Sequence, residues 1–382
     1  MKIDFNNPGH IKAVILSDCI YLSEEARKEV GLKYAENRYP YGRSNNESWD
    51  LRSIPSELLL PEDIVIGVHL KNKNETPWSI EVSKSGQVEL HFEGKSVTPI
   101  SFSPRPNFFD KKLSNGKLAQ QEIVLYGKYS LSLFNRGWCY FFGTKEQCKF
   151  CSLGTTRDDI GADNIFNIFP PIAEEAAIMA FKEEPRIKHV DYCAGTHPDN
   201  NIGIKQQMDL IKVVSKVAPR GITHHLLTFP PDDLNLLAEL KATGLNSIAF
   251  NLEVFDENLF KEICPGKQSH YGYGKFFKAF DEAVKVFGKG NVYCGFVGGL
   301  EPIKSLRKGF DELLKRDVVP SINWFHPDPE SDYKNKARPS KEYIFEAAKA
   351  MSDIYLGNNF QPIFPGGTRN SLDTEIWREY FV

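Results

Sequence analysis

From about Tyr129 onward the chain alternates, six times over, between short apolar or β-branched runs and helix-length amphipathic runs. Few folds satisfy that pattern. The strand candidates are Tyr129 to Phe134, Lys188 to Ala194, Gly221 to Thr228, Asn246 to Glu253, Asn291 to Gly298 and Val318 to Phe325. The helix candidates are Pro171 to Lys182, Ile204 to Val217, Asp232 to Lys241, Gly274 to Phe287, Ile303 to Lys315 and Lys341 to Tyr355. In the second of these, Ile204, Met208, Ile211 and Val214 fall on one face at three- and four-residue steps. Gly244 stands where a helix C-cap is wanted, and Ser340 precedes the last helix at an N-cap position. Strands separated by helices pair in parallel, and right-handed crossovers curl the sheet toward a barrel. A flat doubly wound sheet is the structural alternative, but no Gly-x-Gly-x-x-Gly follows the first strand, so dinucleotide binding is disfavoured.

The first 128 residues have a different rhythm. Asp63 to Leu70, Thr76 to Ser83, Gln87 to Glu93 and Val97 to Ser103 read as short strands, with turns at Ser85-Gly86 and Glu93-Gly94-Lys95. Ile80 and Val82 alternate with polar residues, as do Val88, Leu90 and Phe92, which predicts an antiparallel sheet with one buried face. Tyr34 to Asp50, with Pro40, Gly42, Asn45 and Asn46, has no period and reads as a loop.

Composition narrows the function classes. Net charge is −3, from 47 basic and 50 acidic residues, and no basic run stands out, so nucleic acid is not an expected partner. The N-terminus lacks an apolar signal core and no stretch of eighteen apolar residues occurs, which predicts a cytoplasmic protein without a membrane partner. Seven cysteines, an odd number in a long chain, argue against a disulfide framework and agree with a reducing compartment.

Three of those cysteines, Cys139, Cys148 and Cys151, follow the first strand of the alternating region within one loop. Thiolates are the soft ligands that iron-sulfur clusters select, and three of them leave the fourth iron of a cubane open. The eight residues between Cys139 and Cys148 include Gly143 and reach up to roughly 30 Å if extended, so a return to one cluster is permitted. A structural zinc would need a fourth ligand, and no histidine lies within thirty residues of Cys151.

Cys148-Lys149-Phe150-Cys151 resembles the end of the radical S-adenosylmethionine (SAM) signature, in which an aromatic residue precedes the last cysteine and packs near the adenine. The usual signature has three residues between the first two cysteines; here there are eight, giving a variant C-x8-C-x2-C. Later strand ends extend the resemblance. Gly195 stands where the family carries a glycine turn that meets the methionine amine, and Asn251-Leu252-Glu253 is similar to a cofactor-contacting triplet of biotin and lipoyl synthase relatives. Gly295-Phe296-Val297-Gly298-Gly299-Leu300-Glu301 is similar to the family's Gly-x-Ile-x-Gly-x-x-Glu, with Val297 in place of Ile and Glu301 one residue early.

The two patterns predict an α/β fold, a partial or nearly complete (β/α) TIM-like barrel carrying an N-terminal antiparallel β-rich module. They divide the chain into an accessory module over 1–128, a (β/α)6 core over 129–330 and a C-terminal helix and tail over 331–382 that closes the barrel. The resemblance covers about residues 130 to 330 and leaves the first 128 outside it. It implies a 4Fe-4S cluster on Cys139, Cys148 and Cys151, which are both the metal ligands and the catalytic residues, with SAM contacted by Phe150, Gly195, Asn251, Glu253, Val297 and Gly298. Reductive cleavage of SAM to a 5′-deoxyadenosyl radical would then abstract hydrogen from a small-molecule or short-peptide substrate, with a flavodoxin- or ferredoxin-type electron donor. Two alternatives stay open: a sulfur-inserting enzyme with a second cluster drawing on Cys193, Cys264 or Cys294, and a non-catalytic zinc-stabilised ligand-binding protein. His197, His326 and Asp328 are strand-end polar residues within reach of a substrate.

Overall fold

The computed structural model describes residues 3–30, 57–154, 167–328 and 331–382. The loop read over Tyr34 to Asp50 lies outside them. Helix α1 (Pro8–Asp18) is followed by β1 (Tyr21–Leu22), α2 (Glu24–Val30), β2 (Glu57–Leu60) and β3 (Ile64–Gly67). Next come β4 (Trp78–Val82), β5 (Val88–Phe92), β6 (Lys95–Pro99) and β7 (Ser101–Phe102).

These elements form two small sheets, β1-β4-β5-β6 and β3-β2-β7. All their pairings are antiparallel except β1 with β4. The β5–β6 hairpin closes through Glu93 and Gly94, both at positive φ, the backbone a tight hairpin turn requires. The single strand read over Val97 to Ser103 is two: β6 pairs with β5 and β7 with β2. Pro99, which has no N–H to donate, ends the first of them.

Helix α1 was not anticipated. Ile11, Ala13, Val14, Ile15 and Leu16 are all buried, so the helix lacks the polar stripe by which an amphipathic helix is read. Its Lys12 is fully buried with the ammonium 3.0 Å from Glu375.

The larger sheet has seven strands in the order β14-β13-β12-β11-β10-β9-β8. These are β8 (Ile123–Tyr126), β9 (Ser130–Arg136), β10 (His189–Ala194), β11 (Thr223–Thr228), β12 (Ser247–Phe250), β13 (Val292–Gly298) and β14 (Val319–Trp324). Strands β9 to β14 are parallel, in chain order, and curl as a half-barrel; β8 adds an antiparallel edge. The α/β partial barrel with a separate antiparallel module is therefore the observed architecture.

The helices after β9 are α3 (Tyr140–Thr144), α4 (Pro170–Glu183), α5 (Asn200–Val217), α6 (Leu236–Ala242), α7 (Glu257–Ile263) and α8 (Pro265–His270). Then follow α9 (Tyr273–Phe287), α10 (Ile303–Leu314), α11 (Lys341–Asn358) and α12 (Asp373–Trp377). Ser340 caps α11 by accepting from Tyr343 N at 3.2 Å, and Gly244 takes φ 99° after α6, both as read. No helix among the described residues is long and apolar enough to cross a membrane.

Candidate functional site

The cysteine loop leaves the carboxyl end of β9. Cys139 takes an extended backbone and opens the short helix α3, which Lys145 ends in the left-handed region at φ 59°. The loop is then tied down at several strand ends. Gly195 N donates to Arg136 O at 2.8 Å and Tyr140 N to Thr196 O at 2.9 Å, fixing its start to the end of β10. Lys149 N donates to Ile263 O at 2.9 Å and Gly266 N to Glu146 O at 2.9 Å, fixing its middle to the α7–α8 junction that follows β12. Ser152 Oγ donates to Asp328 Oδ2 at 2.9 Å, beyond the end of β14. The loop thus lies across the carboxyl ends of the parallel strands, where barrels of this kind place their chemistry.

Cys139, Cys148 and Cys151 are each partly buried and close enough to influence one another's ionisation. Burial raises the pKa of Cys139. Cys151 is raised further, by burial and then by the neighbouring Cys148 charge. Cys148 moves down, because a hydrogen bond from Cys264, and after it the Lys267 ammonium, outweigh burial. As the side chains stand, no three His, Cys, Asp or Glu groups among the described residues converge tightly enough to hold a metal ion. In donor type and neighbourhood the three thiols nevertheless suit a thiolate-held cluster, since a bound metal deprotonates a coordinating thiol outright.

Beside Cys148 lies a buried ion pair. Lys267 Nζ is 2.5 Å from Glu253 Oε1 and donates to Asn251 O at 2.7 Å. Burial alone would lower the Lys267 pKa, but the Glu253 carboxylate and then the thiols of Cys148 and Cys264 more than offset it, so the ammonium stays charged. Glu253 sits at φ 71°, a strained backbone for a residue other than glycine, held between Gly295 O (2.9 Å) and Val297 N (2.7 Å).

The chain is 26% identical over 296 residues to the bacteriochlorophyllide c C-7(1)-hydroxylase of Chlorobaculum limnaeum, covering 72% of each protein. No protein-family model matches it. Among solved structures, a radical SAM methyltransferase from Sphaerobacter thermophilus aligns at TM-score 0.44 and 13% identity, over 72% of this chain and 74% of that one. The hydrogenase maturase HydG aligns at TM-score 0.46 and 14% identity, over 67% of this chain and 56% of that one.

The chain uses its motif residues mainly to build the site. Gly195 lies so close to the cysteine loop that a Cβ there would fall 2.2 Å from Trp138 O. Asn251 Oδ1 accepts from Gly295 N at 3.2 Å, Glu253 holds Lys267, and Glu301 accepts from Phe255 N and Asp256 N at 2.7 and 3.1 Å. Asn251, Glu253 and Val297 gather at the ends of β12 and β13, and Phe150 packs against the main core. Gly298 abuts Ile322 and Trp324.

The remaining cysteines do not converge. Register places Cys193, Leu227, Ala249 and Tyr293 on one sheet face, so Cys294 points to the other, and Cys264 lies with Cys148. On the Cys193 face are Asp191, which burial raises to about 6, and His225. Cys193 Sγ donates to Asp191 Oδ2 at 3.1 Å. His326 Nε2 pairs with Asn370 Nδ2 at 3.1 Å, and His197 Nδ1 lies near Asp199 at the start of α5. The charged roles of Lys267 and Asp191 were not read from the sequence; burial and the partners Glu253 and Cys193 mark them.

Proposed function

We propose that this protein cleaves SAM reductively at a 4Fe-4S cluster held by Cys139, Cys148 and Cys151, and that the resulting radical abstracts hydrogen from a small-molecule or short-peptide substrate. The observation that carries the reading is the cysteine loop pinned across the carboxyl ends of β10, β12 and β14. When bound, the cluster and SAM supply a one-electron cleavage that yields methionine and a 5′-deoxyadenosyl radical. The chain supplies the rest. Backbone bonds at Gly195, Thr196, Ile263 and Gly266 hold the three thiols on one rigid loop. Lys267 keeps a fixed positive charge beside Cys148, which favours the thiolate form needed for metal binding. The half-barrel shields a reactive carbon from water and stray hydrogen donors. Phe150, Gly195, Asn251, Glu253, Val297 and Gly298 would line the SAM side of that space. The elements over 1–128 would shape the substrate entrance, residues 129–330 form the catalytic core and 331–382 close it. A flavodoxin- or ferredoxin-type protein would deliver the electron in the cytoplasm.

The test is anaerobic reconstitution with iron and sulfide, then reduction with SAM present. Four irons per chain, a brown colour lost in Cys148→Ala, and release of 5′-deoxyadenosine are expected. Eight irons would favour sulfur insertion, although Cys193 and Cys294 lie on opposite sheet faces. A colourless protein with stoichiometric zinc and no SAM cleavage would sink the reading. The relative's name makes a hydroxylated product, one oxygen heavier than the substrate, the first outcome to seek.

A further inference from the structure

Cys264 is fully buried at the junction of α7 and α8, outside the three-cysteine loop, yet the backbone brings it opposite Cys148. Glu146 and Lys149, which flank Cys148, bond to Gly266 and Ile263, which flank Cys264, each at 2.9 Å. A Cβ on Gly266 would fall 2.5 Å from the Phe141 ring and 2.6 Å from Glu146 O, so only glycine at this position lets the two segments approach so closely. Two cysteines placed opposite one another by a backbone bond on either side meet the main requirement for a bridge, which is that neither backbone has to travel.

We propose that Cys148 and Cys264 form a reversible disulfide whenever the three-cysteine loop carries no cluster, locking out metal until the bond is reduced. The inference rests on the reading of Cys148 as a cluster ligand, since only then does the bond close the site. With glutathione disulfide as oxidant, the sulfur of Cys148 displaces one glutathione and forms a mixed disulfide. The sulfur of Cys264 then attacks that of Cys148 and releases the second glutathione. Two cysteine thiols lose two electrons and two protons, and one glutathione disulfide becomes two glutathione thiols. Cys139 and Cys151 stay reduced.

The experiment uses full-length, iron-free protein, first reduced, then exposed to glutathione disulfide without oxygen, alkylated and digested for mass spectrometry without reductant. The expected product is a peptide pair joined through Cys148 and Cys264, lighter than the two reduced peptides by two hydrogens, with Cys139 and Cys151 alkylated. Iron loading of this oxidised protein is expected to fail until a dithiol is added, whereas Cys264→Ser loads without it. Cys148 joined to Cys151 or Cys139, or recovered as a glutathione adduct or free thiol, overturns the proposal. So does unimpeded iron loading of the bridged protein. The disulfide map is read on the unaltered chain, so folding of the variant does not limit it. A bridged peptide from a protein that, once reduced, neither binds iron nor cleaves SAM would leave the thiol pair standing and remove the cluster reading instead.

Discussion

Gly195→Ala tests whether the cysteine loop is positioned by the close approach of the β10 end. The new methyl carbon would lie 2.2 Å from Trp138 O, 2.5 Å from Trp138 C and 2.7 Å from Cys139 N. All three are backbone atoms, so no flexible side chain can swing aside; the loop itself must move. Overpacking of this kind costs about 1–3 kcal/mol. Movement also stretches the Gly195 N to Arg136 O bond (2.8 Å) and the Tyr140 N to Thr196 O bond (2.9 Å). Each such bond contributes about 0.5–1.5 kcal/mol, so the whole substitution is expected to cost about 2–6 kcal/mol.

Gly143→Ala is the matched control. Gly143 sits in α3 of the same loop, exposed, with nothing within 4 Å of an added Cβ. There alanine is expected to be neutral or to stabilise by up to about 1 kcal/mol through helix propensity. Urea unfolding of both variants and the wild type gives the stability difference, and iron per chain after reconstitution reports the position of Cys139. If Gly195→Ala unfolds within about 0.5 kcal/mol of the wild type and takes up the same iron, the clamp does not position the loop, and the reasoning fails at its first step.

Lys267→Met leaves Glu253 buried without its partner and is expected to cost about 3–5 kcal/mol; Glu253→Gln added to it should recover part of that, which a double-mutant cycle by denaturant unfolding measures. Ser340→Ala removes the N-cap of α11 and is expected to cost about 1 kcal/mol, read as a shift in urea midpoint with unchanged slope. Burial lowers His225 to about 3, so between pH 6.5 and 3 the unfolded chain binds a proton there that the folded chain refuses. Stability from this group is complete above pH 6.5 and is lost on acidification, at about 1.4 kcal/mol per pH unit. His225→Asn is therefore expected to lose that much less per unit than the wild type over this window; parallel stability curves would refute the assignment.

The parallel strands were legible because each is a short run rich in apolar or β-branched residues, set between helix-length segments with apolar residues at helical spacing, two patterns that do not mimic one another. Elements that break this contrast were not. Helix α1 carries buried apolar residues on every side with Lys12 among them, and β12 stops at Phe250, short of the strained Glu253. Helices α7 and α8 went unread in the stretch where Pro265 divides them, and β8 merged into the module although it pairs with β9. The three cysteines of the loop were visible in sequence because they are local. The partnership of Cys148 with Cys264 was not, because it depends on where α7 ends.

The Asn251-Leu252-Glu253 triplet shows how far a motif can carry. Its position at a strand end was readable, and so was its polarity. Its physical work depends on Lys267, fourteen residues further on, whose ammonium reaches both the Asn251 carbonyl and the Glu253 carboxylate. Holding a non-glycine residue at φ 71° is unfavourable by about 1–2 kcal/mol, so the surrounding bonds must outweigh that cost. The return is a carboxylate turned back on a lysine that stays protonated next to Cys148, in a buried setting where a lone lysine would tend to lose its proton. The strained residue thus acts through charge: it fixes a cation where a thiolate is needed. Lys267→Met should accordingly lower the share of Cys148 present as thiolate near neutral pH, because it removes the cation that draws this thiol down, read as slower alkylation of that cysteine by iodoacetamide in the iron-free protein, and an unchanged rate would separate the lysine from the cysteine it faces.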